Sequence, residues 1–316
     1  LGLIISAEDR ASAETTGSRT PRLNGRGTSL LRRQIHTNSN IILGSATPSL
    51  EEVYNTSAGR HVIVRLSTRY HGSQDADIEI IDTSAERKKN GMAGSFSRKL
   101  IDRIRQTLNE GGQVMILRSR RAWAGALQCV SCGQIQKCQH CNVSMSYHKS
   151  NGRMVCHYCG YSAIYTGTCG KCGGQLHGLG AGTQKIEEEA AALFPDAAIA
   201  RLDSDTSQNK AYEAKTIQDF AKGDIDILIG TQIVAKGFDF SNVSLVAIIA
   251  ADTLLGIQDF RADEKALHLM EQFRGRCGRR GEKGTLVIQT SQPGHPIYRQ
   301  LAQKEDIHTL YHQHRI

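Results

Sequence analysis

Eight cysteines in four Cys-x-x-Cys pairs, Cys129/Cys132, Cys138/Cys141, Cys156/Cys159 and Cys169/Cys172, constrain this chain more than any other feature. A two-residue gap lets both sulfurs of a pair face one ion while the intervening amides turn toward the thiolates. Four thiolates then complete the tetrahedron that zinc prefers. The surrounding stretch has few aliphatic residues and cannot build a core of its own, so metal has to replace one. No apolar run reaches the roughly 18 residues of a membrane span, and no secretory leader precedes the fold. The expected location is the cytoplasm, without a membrane partner. There thiols stay reduced, and paired cysteines read as metal ligands rather than disulfides.

The spacers indicate which pairs share an ion. Asn151-Gly152 lies midway between Cys141 and Cys156 and reads as the turn of a β-hairpin, which brings the second and third pairs together. The outer pairs are left to each other. The expected sites are therefore nested: Cys129, Cys132, Cys169 and Cys172 for one Zn²⁺, and Cys138, Cys141, Cys156 and Cys159 for the other. His140 and His157 lie inside the knuckles but are surplus to four cysteines per site. Closed four-thiolate sites have no open position, which makes both ions structural. Cys277 has no partner in this scheme and reads as a packing residue.

Outside this stretch the pattern is that of an α/β protein. Short apolar strands are expected at residues 1–5, 40–43, 62–67, 78–82, 114–117, 198–202, 226–229, 245–250 and 285–290. Helices are expected at 28–36, from Leu50 after a Ser49 cap, and at 97–110, 183–194, 211–222 and 263–273, with a loop over 6–27. Alternating strands and helices predict a parallel sheet, interrupted from Arg120 to about Thr183 by the cysteine-rich insertion. The net charge of +8 is a weak polyanion signal. Eight thiolates subtract eight charges and two zinc ions restore four, leaving +4.

Two further stretches carry chemistry. Gln272-Phe273-Arg274-Gly275-Arg276-Cys277-Gly278-Arg279-Arg280-Gly281 joins glycines that allow close backbone approach to arginine forks suited to phosphate oxygens. Gly230-Thr231-Gln232-Ile233-Val234-Ala235-Lys236-Gly237-Phe238-Asp239-Phe240 follows a buried strand. It places polar groups at the carboxyl edge of the sheet, where α/β folds bind ligands.

Together these residues resemble the signature motifs of superfamily 2 helicases, and with the cysteines they resemble the PriA family. Gln272 to Arg279 matches motif VI, Gly230 to Phe240 motif V, and Gly44-Ser45-Ala46-Thr47-Pro48-Ser49 motif III. Thr168 through Gly182 and Arg201 through Thr206 are similar to the family as well. The resemblance implies the end of a first RecA-like lobe at 1–70 and the start of a second at 71–120. It implies a double zinc-ribbon insertion at 121–182, the remainder of the second lobe at 183–291, and the start of a carboxyl-terminal domain at 292–316. It implies an ATP-dependent 3′ to 5′ DNA helicase that recognises stalled forks and restarts replication. Its partners would be branched and single-stranded DNA, primosome proteins, the single-stranded-DNA-binding protein and the replicative helicase loader. Arg276 and Arg279 would stabilise charge on the γ-phosphate, and Gln272 would position the nucleotide. Gly230, Thr231, Lys236, Gly237 and Asp239, with Ser45 and Thr47, would couple ATP to the DNA track.

The sequence also departs from the family. The Asp-Glu-Glu-His that holds magnesium should fall at 7–10, where the chain reads Ala7-Glu8-Asp9-Arg10. The DNA-sensing loop that should follow keeps only Pro21, Arg22 and Arg26. No Gly-x-x-x-x-Gly-Lys-Thr phosphate loop occurs in the 316 residues. The expectation is that most of the first lobe lies upstream of Leu1, that ATP and Mg²⁺ serve the full-length protein, and that this chain alone does not hydrolyse ATP. The alternative is a non-catalytic zinc-ribbon module of a divergent PriA-like protein that docks DNA or proteins.

Overall fold

A computed structural model describes residues 3–7, 30–31, 35, 40–45, 47–64, 66, 76–118, 127–141, 143–148, 152–156, 158–178, 183–203, 206–231, 240, 242–256, 261–278 and 283–303. The chain divides into two compact units, residues 1–65 with 305–316, and residues 66–304.

In the first unit, β1 (Leu3–Ala7) pairs in parallel with β2 (Asn40–Gly44), from Leu3 opposite Asn40 to Ala7 opposite Gly44. Ser6 and Ala7 thus belong to a strand, not to the loop expected from residue 6; the rest of that loop lies outside the described residues. So does most of the helix expected at 28–36, of which Leu30, Leu31 and Ile35 are helical. Helix α1 (Leu50–Ser57) begins with the expected capping box. Ser49 Oγ accepts from Glu52 N at 3.1 Å while the Glu52 carboxylate accepts from Ser49 N at 3.3 Å, so two orphan amides are satisfied reciprocally. The strand expected at 62–67 is a correction. Residues 62–64 and 66 join no ladder among the described residues, and Val62 and Leu66 are each 93% exposed. An apolar β-branched run becomes a strand only where a partner strand and a covered face are available.

The second unit is built on six parallel strands in the order β12, β13, β6, β14, β15, β3. These are β3 (Asp77–Asp82), β6 (Gln113–Arg118), β12 (Ile199–Leu202), β13 (Ile227–Gly230), β14 (Val243–Ile249) and β15 (Thr285–Thr290). All six residues of β6 are buried, as a strand covered on both faces requires. Val114, Ile116, Ile227, Ile229 and Ala247 face α3 (Arg98–Asn109) and α4 (Thr183–Leu193), which contribute Leu100, Ile104, Ile186 and Ala190. The alternate residues Met115, Leu117, Leu228, Val246 and Ile248 are equally buried on the other face. Helix α5 (Lys210–Lys222) packs beside β12, α7 (Ala262–Arg274) against β15, and α8 (Pro296–Gln303) against β3. Two short helices, α2 (Thr83–Lys88) and α6 (Asp252–Leu255), and a small hairpin of β4 (Met92–Ala93) with β5 (Phe96–Ser97) carry too little periodicity to read from the sequence, and α8 is a further helix beyond those expected. Helix α3 starts at the expected place because Ser97 Oγ accepts from Leu100 N at 3.2 Å.

Between β6 and α4 lie the strands of the cysteine-rich module. β8 (Ser146–His148), β9 (Arg153–Val155) and β10 (Ser162–Ile164) form an antiparallel sheet, and β7 (Leu127–Cys129) pairs with β11 (Leu176–Gly178). The hairpin of β8 and β9 is the one expected from Asn151-Gly152, and Gly152 sits at φ 62°. Ile104→Ala, at a fully buried position under the central sheet, is expected to cost about 2–5 kcal/mol, read from the denaturant midpoint of the second unit.

Candidate metal centres and sheet-edge sites

Each Cys-x-x-Cys pair sits on a tight backbone turn. Cys129 N donates to Gln134 O and Gly133 N to Cys129 O; Cys169 with Gly173–Gly174, and Cys156 with Gly160–Tyr161, repeat the same two bonds. The residue after the second cysteine is Gly133, Gly160 or Gly173 in these three turns, with φ between 72° and 79°. That is left-handed space which glycine enters without a Cβ penalty. The geometry is therefore written locally, as Cys-x-x-Cys-Gly.

The turns bring the eight thiols together in two groups, Cys129, Cys132, Cys169 and Cys172, and Cys138, Cys141, Cys156 and Cys159. In both, the first cysteine of each pair is buried and the second lies farther out. Sulfur separations are 3.5 Å for Cys129 and Cys172, 3.7 Å for Cys132 and Cys169, 3.6 Å for Cys138 and Cys159, and 3.7 Å for Cys141 and Cys156. A tetrahedron with Zn–S bonds of about 2.3 Å has edges of about 3.8 Å, whereas a disulfide needs about 2.05 Å. Both groups therefore fit a zinc ion and not a cystine. Burial opposes ionisation of Cys129 and Cys138, but amide donors outweigh it, Cys132 and Ser131 for the first and His140 and Cys141 for the second. Both thiols come down to about 7. Burial and the neighbouring sulfurs push Cys132 up to about 12 and Cys141 well above the ordinary thiol range. Zinc binds thiolates, so metal binding displaces the protons that the four thiols of each group still hold. His140 packs on Tyr161 at 4.8 Å and is not in either group; His157 lies outside the described residues.

Cys277 is buried, its thiol near Phe273 O at 3.4 Å, and burial pushes it up to about 12. Gly284 lies so close that a Cβ there would be 2.5 Å from Cys277 Cβ. This is a packing position.

The helicase-like motifs do not share one edge of the sheet. Gly230 ends β13 opposite Leu117, and buried Thr231 follows it at the carboxyl edge, donating N–H to Leu202 O at 3.2 Å. Helix α7 runs back along the sheet, so Gly275 to Gly278 lie at the amino edge, where Gly278 N donates to Val243 O at 3.1 Å. Val243 is opposite Gln113 in β6, four residues from Leu117, or about 13 Å of strand. Gln272 is exposed and Arg276 half-buried at that amino edge, and Arg274 is paired with Glu271 at 2.7 Å. Lys236, Gly237, Asp239 and Arg279 lie outside the described residues. In the first unit, Thr47 N donates to Ser45 Oγ at 3.2 Å, so Ser45 and Thr47 form one local turn. At the end of β12, buried Asp203 binds Arg201 at 2.5 Å and Thr183 Oγ1 at 2.5 Å, which fixes the end of β12 to the start of α4.

No local pattern of residues marks how the metal module is attached. It leaves the sheet at the carboxyl end of β6 and is held there by side chains far apart in the chain. Gln128 Nε2 donates to Ser291 Oγ at 2.8 Å and to Gly133 O at 3.0 Å, and Ser144 Oγ donates to Gly256 O. Gly133 packs so tightly that a Cβ would lie 2.5 Å from Ser291 Oγ. Ser291 is fixed in turn by buried Asp252, which accepts from Ser291 N at 2.9 Å and Thr290 Oγ1 at 2.8 Å. Arg118, the last residue of β6, donates to Ile249 O at 3.2 Å. The module and Thr231 therefore occupy the same carboxyl edge.

Two outcomes are expected. With a strong chelator, a thiol reagent should modify eight cysteines quickly and Cys277 only after denaturation; elemental analysis beforehand should find two zinc ions per chain. Gly133→Val, strained at its positive φ and overlapping Ser291, should lower stability by about 2–4 kcal/mol in thermal or denaturant unfolding.

Two family models match the sequence: the PriA DNA helicase Cys-rich region (CRR) domain at residues 138–163 and the helicase conserved C-terminal domain at residues 177–281. The replication restart protein PriA of Bacillus subtilis (strain 168) is 35% identical over 317 residues, covering 100% of this chain and 39% of that protein. That of Chlamydia pneumoniae is 36% identical, covering 99% and 42%, and that of Treponema pallidum (strain Nichols) 38% identical, covering 99% and 46%. The chain spans less than half the length of these relatives. Among the described residues no helix is long and apolar enough to cross a membrane.

Proposed function

Because this chain belongs to the PriA family of replication restart helicases, we propose that it supplies the second motor lobe and zinc module of an ATP-dependent 3′ to 5′ DNA helicase. The enzyme acts at stalled or abandoned forks and helps assemble the primosome. The observation that carries the reading is the anchoring of the metal module on the carboxyl edge of the sheet, the same edge that holds Thr231. A rigid attachment there extends a surface for single-stranded DNA from the motor into the module. The zinc ions are structural, with every position taken by cysteine.

In this reading the amino edge serves the nucleotide and the carboxyl edge serves DNA. Arg276 and Arg279 place positive charge against the γ-phosphate during hydrolysis, Gln272 positions the nucleotide, and Gly230, Thr231, Lys236, Gly237 and Asp239 link the two edges. Ser45 and Thr47 couple the first lobe to the same cycle. The sequence contains no Gly-x-x-x-x-Gly-Lys-Thr phosphate loop, so in this reading the chain alone does not turn over ATP, and ATP and Mg²⁺ serve the full-length protein. Its partners are forked and single-stranded DNA, primosome proteins, the single-stranded-DNA-binding protein and the helicase loader, and the place of action is the cytoplasm.

One observation favours a second reading, a binding module without motor activity: Ala7-Glu8-Asp9-Arg10 stands where a magnesium-holding acidic segment belongs. The two readings part on a longer protein that carries a phosphate loop upstream of Leu1. The motor reading expects DNA-stimulated ATP hydrolysis, reduced about 10³-fold or more by Arg276→Ala, with translocation 3′ to 5′ on a labelled fork. DNA binding without any stimulated hydrolysis would leave the binding-module reading.

A further inference from the structure

The metal module contains an open groove, about 140 Å³ in volume, that metal binding does not use. Met145 and Met154, both buried, form its floor, Tyr161 and Tyr165 line it, and half-buried Lys137 and exposed Gln139 complete its lining. Each tyrosine is braced by a neighbour that does not line the groove. His140 packs on Tyr161 at 4.8 Å, and Tyr147 packs on Tyr165 at 4.4 Å. The groove is well below the several hundred Å³ of a site for a drug-sized molecule. Its size suits one flat ring system.

Charge narrows the occupant further. From Gly111 to Ile186 the chain has no aspartate or glutamate, while Lys137, Lys149, Arg153 and Lys171 all fall in this stretch. The formal negative charge of the module resides in its thiolates, which accept backbone amides such as His140 N–H, 3.4 Å from Cys138 Sγ. Among the described residues no carboxylate lines the groove to repel a phosphate. An apolar floor, braced aromatic rings and a lysine at the rim are the elements of a stacking platform for single-stranded nucleic acid, which is sequence-tolerant because every base has a π-face.

We infer that this groove seats one unstacked nucleobase of single-stranded DNA, against Tyr161 and Tyr165, with Lys137 beside the adjoining phosphate. The inference rests on the reading of the metal module as a surface that handles DNA, and names where on the module a base is held.

The test uses the zinc-loaded full chain and the anisotropy of a labelled oligothymidylate, alone and with single abasic replacements. The double variant Tyr161→Leu/Tyr165→Leu should bind about tenfold more weakly, while Tyr161→Phe/Tyr165→Phe should bind like the parent. An abasic replacement should weaken the parent and have no further effect in the leucine variant. Lys137→Gln should lower affinity and reduce the slope against salt by about one counterion. Zinc content and unfolding temperature identify a variant that has not folded, in which case the phenylalanine pair, Lys137→Gln and the abasic series decide. Parent-like affinity in a leucine variant retaining both zinc ions overturns the groove assignment and leaves the wider reading standing. So does a leucine variant that keeps its DNA affinity but no longer binds an unstructured aromatic peptide recognised by the parent, since the occupant is then a protein segment. A parent chain with no measurable affinity for single-stranded DNA overturns the groove and the DNA-handling reading together.

Discussion

Tetrahedral thiolate coordination is the constraint on which the module depends. Among the described residues, the buried cluster between its short strands contains five side chains that are not cysteine, Leu127, Val143, Met145, Met154 and Leu176, and each of these strands is three residues long. Such a cluster cannot order a segment of this size. A metal ion in each four-cysteine group would join two distant turns and supply the cross-link that a larger apolar core would otherwise provide. The nested arrangement follows. The inner group closes around the hairpin of β8 and β9, and the outer group closes around the whole module, pairing β7 with β11 near its junction with the sheet.

Rigidity is then handed from the module to the sheet through polar contacts. Gln128 belongs to β7, next to Cys129, so the strand that holds a metal ligand also holds Ser291. Ser291 is fixed by Asp252, and Asp252 is buried at the start of α6, just after β14. Burying a carboxylate is costly unless its oxygens are satisfied, and here two hydroxyl or amide donors from the end of β15 satisfy them. Nearby, burial pushes the Arg118 guanidinium below its ordinary value, opposed by Asp252 and Glu189. A displacement of the metal module would therefore disturb the ends of β14 and β15.

The features legible from sequence are those set within a few residues. The Cys-x-x-Cys-Gly turns, the Ser49 capping box, the Ser97 cap and the runs of β6, β13 and β15 each depend on neighbours close in the chain. The pairing of the cysteines was also legible, because a single hairpin decides which turns meet. The strand expected at 62–67 failed for the complementary reason: Val62, Val64 and Leu66 have the composition of a strand, but a strand needs a partner that local composition does not provide.

The sequence by itself determined the metal chemistry, the α/β class and the identity of the motif residues, since ligand type, periodicity and glycine positions are local properties. Only the tertiary structure decided where these parts stand. It placed Thr231 and the metal module on the carboxyl edge and the Gln272 to Gly278 turn on the amino edge, because α7 must run antiparallel to the strands it covers. It joined Gln128 to Ser291 across 163 positions of sequence and opened a tyrosine-lined groove between β10 and the turn before Cys138. Such contacts are set by how the sheet is ordered and how the insertion docks on it, and no pattern of neighbouring residues encodes them.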